Sequence, residues 1–311
     1  MELIRGLHNM RPSHHGCVAT IGNFDGVHLG HQAVIGQLAE KADAVGLPAA
    51  VITFEPQPRE YFLPQFAPPR LTRFREKIEA LRRYAVRRVL CLAFNRKLAE
   101  MSAEEFIRRI LVDGLGVKYL VVGDDFRFGR DREGTFEHLQ AAGERYGFQV
   151  VNMHTFSVEG ERVSSTRVRL ALEQGQLDEA VRLLGRDFRM SGRVGHGEKL
   201  GRKLGFPTAN IFLHRRASPL QGIFVVEIYG LDKEPWPGVA SLGTRPTVDG
   251  TRTILEVHLF DFDEQIYGRH IQVSFLQKLR DEEKYDSLTA LKVQIQKDVD
   301  AAQAYFKNTA A

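Results

Sequence analysis

Cysteine is scarce in this chain: Cys17 and Cys91 are the two among 311 residues. So few, so far apart in sequence, exclude a disulfide framework and a cysteine-rich zinc site. Long apolar runs are missing as well. No stretch approaches the roughly 20 residues needed to span a bilayer. The opening, MELIRGLHNMRPSHHG, has no apolar signal core. No membrane association is therefore expected, and a cytoplasmic location is the natural default. Neither sign of charge dominates: 43 basic against 39 acidic side chains leave +4. That balance suits phosphate-bearing ligands without specifying one. There are no internal repeats and no low-complexity tract.

What is present is an apolar content of 43%, enough for a well-buried core. The length accommodates two ordinary domains, although one large domain fits it too. The first part alternates strand and helix signals. CVATIG, AAVITF (49–54), RVLCLAF (88–94), KYLVVG (118–123) and residues 148–153 read as strands. Helical patterns cover 31–45, 72–85 and about 134–146, and Ser102 with Glu105 forms a capping box that opens another helix. Such alternation predicts a parallel sheet covered on both faces, with ligands beyond the carboxyl ends of its strands. After about residue 185 the pattern changes. GIFVVEIYG, GVASLG, TILEVHLF and HIQVSFL are short strands separated by turn residues, the signature of an antiparallel sheet or small barrel. A last helix is predicted from Asp286, with Leu288, Leu291, Ile295 and Val299 on one stripe. The domains are thus expected at 1–185 and 186–311.

GNFDGVHLGH (22–31) places His28 and His31 where a strand hands over to a helix. The pair reads as zinc ligands, as a structural coincidence, or as a polyphosphate site. Zinc would need a third ligand that the sequence does not obviously offer. A helix N-terminus, with unbonded N–H groups and a positive dipole end, attracts anions. Imidazole donors there suit the charge that builds on departing pyrophosphate in adenylyl transfer. ERVSSTRVR (161–169) adds Ser164, Ser165 and Thr166 at a second helix start, amid Arg162, Arg167 and Arg169. It is either a capped helix with solvated arginines or a second phosphate clamp.

The segment SGRVGHGEKLGRKLGFPTANI (191–211) carries five glycines before its proline. It lacks the Walker ending, and reads as a mobile hairpin or a loop that approaches a triphosphate. Thr208 and Asn210 offer hard oxygens suited to Mg²⁺ beside a phosphate. In TILEVHLF, alternation puts Leu255, Val257 and Leu259 on one face and Glu256 with His258 on the other. Glu256 is then either a solvated strand residue or a base for an alcohol during phosphoryl transfer.

GNFDGVHLGH, GDDFRFG (123–129) and RVSSTRVR together resemble the nucleotidyltransferase module of prokaryotic bifunctional riboflavin kinase/FAD synthetases. PTAN, GIFVVEI, SLGTRPT, the glutamate in TILEVHLF and LRDEEKYDSL resemble its riboflavin kinase module, in order. The resemblance covers roughly residues 15 to 305. It implies an α/β fold: a Rossmann-like nucleotidyltransferase domain, then a six-stranded antiparallel β-barrel with a C-terminal helix. It implies two ATP-dependent reactions, riboflavin to FMN and FMN to FAD with release of pyrophosphate, with Mg²⁺ as cofactor. It further implies that Gly22, Phe24, His28, His31, Arg162, Ser165, Thr166 and Arg169 contact ATP in the first domain, where the two histidines act catalytically. There Glu55, Asp125 and Phe126 would meet FMN, Asp125 standing where some members have Asn. In the barrel, Gly192, Gly197, Gly201, Gly205, Thr208 and Asn210 would bind ATP, Thr208 and Asn210 also holding the metal. Glu256 becomes the base and Arg280 a flavin-side contact. Riboflavin, FMN and ATP are the expected partners. A nucleic-acid-binding alternative lacks the aromatic–basic stripes of single-strand binders in its barrel. Another alternative keeps adenylyl transfer alone, to a different acceptor.

Overall fold

A computed structural model describes residues 1–123, 126–153, 156–197, 200–247 and 250–309. The chain forms two compact units, one of residues 1–68 and 77–164, the other of residues 69–76 and 165–311.

The first unit is built on a six-stranded sheet. Its strands are β1 (Glu2–Arg5), β2 (Cys17–Ile21), β3 (Ala49–Glu55), β4 (Arg88–Ala93), β5 (Val117–Gly123) and β6 (Gln149–Met153). Every pairing is parallel, in the order β1-β4-β3-β2-β5-β6. All five residues of β2 are buried, as expected for a strand covered on both faces. Chain order runs outward from β2 in one direction through β3 and β4, and in the other through β5 and β6. The switch point therefore lies between β2 and β5, where the carboxyl ends leave a crevice. Ile21 and Gly123, the strand ends that lead into the two motif segments, both border it.

The helices follow local signals closely. Leu29–Val45 buries Ile35, Leu38 and Ala42 on one stripe, and Gly46, at φ 66°, closes it in the left-handed conformation. It starts two residues ahead of the apolar pattern because His28 caps it. The expected capping box at Ser102 is present and opens Ala103–Phe106, which continues as a wider π turn through Ile107–Val112. Thr135 caps Phe136–Tyr146. The helix expected over 72–85 is shorter, Phe74–Leu81, because after Arg82 the amides of Arg83 and Tyr84 bond three residues back instead of four. A short hairpin, β7 (Ser157–Val158) with β8 (Glu161–Arg162), ends the unit.

In the second unit two helices, Ser165–Glu173 and Leu177–Leu184, lead into a closed antiparallel barrel. Its strands are β9 (Phe188–Gly195), β10 (Ala209–Phe212), β11 (Gly222–Tyr229), β12 (Trp236–Thr247), β13 (Gly250–Leu259) and β14 (His270–Arg280), closing in the order β10-β13-β12-β11-β14-β9. Leu242 faces Leu255 and Ala240 faces Val257 inside the barrel. The helix Leu288–Thr309 packs Val299 and Ala302 over Ile223, Val225, Val239 and Phe260 on its outside. That helix begins at Leu288, not Asp286, because the Ser287 hydroxyl accepts from the Ala290 amide at 3.1 Å. Leu288, expected on the apolar stripe, is exposed.

The glycines of residues 191–211 suggest a loop, but most of the described residues there belong to regular elements. Those elements are the end of β9, a short helix Leu200–Leu204 and the start of β10. A Cβ on Gly192 would come within 2.7 Å of the Phe212 carbonyl, and one on Gly195 within 2.0 Å of the Phe212 ring. These glycines permit close approach of β9 to β10. Glu76, buried in the same unit, is tied to the barrel. Its carboxylate accepts from the Ser191 amide at 2.9 Å and from Arg215 Nη2 at 2.6 Å. Arg73 donates to the same carboxylate and to the carbonyls of Ser191 and Leu213.

Candidate active sites

The first site grows from the turn between β2 and the helix Leu29–Val45. The Gly22 amide donates to Ile52 at 3.0 Å, pinning the turn to β3. Phe24 and Val27 both take left-handed backbone angles, φ 49° and 43°, although neither is glycine. Both are buried, so surrounding packing holds a conformation that the isolated residues disfavour. A Cβ on Gly22 would lie 3.1 Å from the Phe24 ring.

His28 is the N-cap: its Nδ1 accepts from the His31 amide at 3.4 Å. That bond makes Nδ1 the acceptor and leaves the ring proton on Nε2. The two imidazoles stack with centroids 3.7 Å apart and an 18° tilt, and Phe24 packs against His31 at 5.0 Å. Gly30 makes room for the pair, since its Cβ would lie 3.2 Å from His28 Nδ1 and 3.3 Å from the Val163 carbonyl. The HLGH spacing is thus explained by ring stacking at a helix start. Among the described residues no group of three or more His, Cys, Asp or Glu is placed to hold a metal, so zinc ligation finds no third partner there.

Arg162 lies exposed in the hairpin of the first unit, whereas Ser165, Thr166 and Arg169 belong to the helix Ser165–Glu173 of the second. The Nε of Arg169 donates to the Pro69 carbonyl at 2.6 Å, and Arg167 pairs with Glu179 at 2.7 Å. Glu55 ends β3, at the rim where ligands of parallel sheets bind. Phe126 follows β5, stacked on Phe128 at 5.5 Å, while Asp125 lies outside the described residues. An aromatic group at the same rim was not anticipated. Tyr61 and Phe62, on the short helix Pro58–Phe62, meet Phe94 at 5.5 and 5.6 Å, and Phe54 adjoins Phe94 at 5.8 Å. The signal in the sequence was two adjacent aromatics just after a rigid Pro-rich turn, which makes a ring cluster at a strand end.

The second site lies on the outside of the barrel. Leu255, Val257 and Leu259 point inward, so Glu256 and His258 face outward, as alternation requires. Glu256 stands directly opposite Asn210 of β10 and directly opposite Ser241 of β12. Residues paired in this way share a face, with neighbouring strands about 4.8 Å apart. Asn210 and Glu256 are therefore brought together by register.

The glycines of this segment leave room around the Asn210 and Thr208 side chains. A Cβ on Gly197 would fall 2.3 Å from Asn210 Oδ1, and one on Gly201 would lie 3.2 Å from Thr208 Oγ1. Gly205, at φ 94°, turns the chain toward Pro207, whose carbonyl lies 2.8 Å from His258 Nδ1. Gly192 sits in β9 against Ile211 and Phe212 instead. Further along the row, Ser241 faces Ile223, and Ile223 faces Arg280. Arg280 holds Asp298 through Nε at 2.9 Å and Nη2 at 2.7 Å, and Nη1 donates to the Asp281 carbonyl at 2.8 Å. Those bonds to Asp298 raise the Arg280 pKa above its already high ordinary value.

Comparison with known proteins agrees with both halves. The family model for FAD synthetase matches residues 10–167 and that for riboflavin kinase matches residues 184–306. A bifunctional riboflavin kinase/FMN adenylyltransferase of Pseudomonas fluorescens is 56% identical over 98% of this chain and 97% of its own length. The Escherichia coli K12 protein of that description is 52% identical, covering 98% of each chain. A solved structure from Streptococcus pneumoniae, described as a macrolide-efflux protein, superposes with a TM-score of 0.80 at 30% identity, covering 96% of this chain and 97% of the other. With both family models matched in order and such identity along almost its whole length, the chain belongs to the family of bifunctional riboflavin kinase/FMN adenylyltransferases.

Proposed function

We propose that the two reactions of this family are carried by two separate sites of the chain, the histidine turn and the outer barrel row. The enzyme phosphorylates riboflavin to FMN with ATP, then transfers AMP from a second ATP to FMN, giving FAD and pyrophosphate. The observation that carries the residue-level reading is the register that sets Asn210 beside Glu256 on the solvent side of the barrel.

In the kinase, Thr208 and Asn210 hold the Mg–ATP end. Two neutral oxygens suit an ion bound mainly by the phosphates and water. Gly197 and Gly201 leave space beside them, and Mg²⁺ supplies charge neutralisation on the transferring group. Glu256 accepts the proton of the terminal ribityl hydroxyl as its oxygen bonds to the γ-phosphorus and ADP departs. Gly192 and Gly205 act through the backbone, by close packing and by a left-handed turn. Arg280 serves the flavin end by anchoring the segment after β14 to Asp298.

In the adenylyltransferase, an FMN phosphate oxygen attacks the α-phosphorus of ATP and the bond to the bridging oxygen of pyrophosphate breaks. His28, through Nε2–H, and His31 stabilise that leaving group at the helix start. Gly22 and Phe24 shape the turn, and Arg162, Ser165, Thr166 and Arg169 complete the phosphate contacts. Glu55, Asp125 and Phe126 bind FMN, with Tyr61, Phe62 and Phe94 as a stacking surface for its ring. The functional boundary is placed near residue 185, giving domains 1–185 and 186–311. A cytoplasmic location belongs to the same proposal, supported by two unbridged, buried cysteines.

Incubation with riboflavin, ATP and Mg²⁺, followed by chromatography of the flavins, tests this. Successive appearance of FMN and FAD is expected. Salt-dependent RNA binding with no flavin conversion would overturn it.

A further inference from the structure

The row that contains Glu256 continues past it. Ser241 stands opposite Glu256 on the side away from Asn210. The Ser241 hydroxyl donates to Glu282 Oε1 at 3.0 Å. Glu282 comes from the segment just after β14, and its carboxylate lies over the backbone of Gly243. A Cβ on Gly243 would fall 2.0 Å from Oε2 and 2.3 Å from Oε1. A bare glycine surface thus seats a carboxylate that is itself exposed.

The order along the row gives the site a direction. Phosphoryl transfer is roughly in line, so donor and attacking alcohol approach phosphorus from opposite sides. With Mg–ATP at Asn210 and the base at Glu256, the remainder of the alcohol extends toward Ser241 and Gly243. For this substrate the remainder is a chain of secondary hydroxyls leading to a ring. A carboxylate accepts hydrogen bonds from hydroxyls strongly, because the acceptor is charged.

On the reading of Asn210 and Glu256 given above, we propose that Glu282, oriented by Ser241 over Gly243, binds the secondary hydroxyls of the ribityl chain and so positions the terminal hydroxyl at Glu256. Glu282 sets specificity for a polyol-bearing flavin over the bare ring. Ser241 acts through Glu282 as a positioning residue.

The test compares two flavins in the kinase reaction of the full-length enzyme. Riboflavin is the substrate. Lumiflavin, which has a methyl group in place of the ribityl chain, is a competitive inhibitor whose Ki reports ring binding alone. Loss of a hydrogen bond to a charged group costs about tenfold to a hundredfold in affinity. Glu282→Gln is therefore expected to raise the riboflavin KM by that order and leave the lumiflavin Ki unchanged. Its conversion of supplied FMN to FAD should stay at the wild-type rate. Ser241→Ala should shift the same KM in the same direction by less, and it carries the test if Glu282→Gln does not fold. An unchanged riboflavin KM would overturn the proposal. So would a parallel rise in KM and Ki, which would make Glu282 a ring contact or a structural residue. Failure of the Glu256 reading is seen separately, as retained kinase turnover in Glu256→Gln.

Discussion

Replacing Gly197 with alanine separates geometry from stability in the kinase site. The added Cβ would lie 2.3 Å from Asn210 Oδ1 and 2.4 Å from both Cγ and Nδ2, whereas ordinary contact begins at 3.4 Å. The shortfall is 3.4 − 2.3 = 1.1 Å. Gly197 is not among the glycines in the left-handed region, so alanine adds no backbone strain there. The obstacle is the end of a flexible side chain, and the cheapest relief is rotation of the Asn210 carboxamide while β10 stays in place. A site group displaced by about 1 Å costs roughly a hundredfold in rate. Gly197→Ala should therefore lose about that factor in kinase kcat/KM for ATP, with an unchanged melting temperature. FAD formation from supplied FMN should be intact. Gly147→Ala provides the opposite case. Gly147 sits at φ 75° with nothing within 4 Å of its Cβ. Alanine there should cost about 1 kcal/mol of stability through strain alone, with both activities retained. Coupled flavin chromatography and a thermal melt measure all of these. Full kinase activity in Gly197→Ala would refute the placement of Asn210 in the ATP site. Equal loss of both activities would refute the claim that relief is local.

Three further outcomes are expected. The double variant His28→Ala/His31→Ala should still make FMN but lose FAD formation by roughly a hundredfold to a thousandfold, the usual cost of a preorganised donor; undiminished FAD would overturn the leaving-group role. Glu256→Gln should lower riboflavin phosphorylation by about a hundredfold to ten-thousandfold and spare adenylylation of supplied FMN; retained kinase turnover would make Glu256 an ordinary strand residue. Glu76→Ala leaves the buried Arg215 without its carboxylate and should destabilise the second unit by about 3–5 kcal/mol, read by chemical denaturation; a shift near zero would show that water replaces the pair.

The sequence revealed elements wherever local chemistry and burial agree. The alternation of TILEVHLF placed Glu256 outside correctly because each apolar neighbour had one core to enter. The capping boxes at Ser102 and Thr135 are local bonds, and Ser102 was read directly. β1 was not seen, since Glu2–Arg5 is short, polar at both ends and defined by its pairing with β4. β9 and β10 were hidden by glycines that suggest mobility, whereas in the structure they allow two strands to approach. The candidate sites divide in the same way. HLGH and PTAN announce themselves by residue type. The pairing of Asn210 with Glu256 depends on register between strands far apart in sequence. Ser241 with Glu282 was invisible for the same reason, and Tyr61, Phe62 and Phe94 come together through parallel pairing of β3 with β4.

Placing Asn210, Glu256 and Ser241 outside the barrel has a consequence for how errors in assembly are tolerated. On β13 the residues that fill the interior and the polar ones that face outward are immediate neighbours, Leu255 beside Glu256 and Val257 beside His258. A slip of one residue against β12 would exchange the two sets. It would drive a carboxylate and an imidazole into an apolar interior and expel leucine and valine into water, each change costing several kcal/mol. A mispaired barrel therefore cannot persist as a stable, inactive twin of the native enzyme. Mispaired protein should be unfolded protein, open to proteolysis and removable, and the folded fraction of a preparation with the native sequence should equal its kinase-competent fraction.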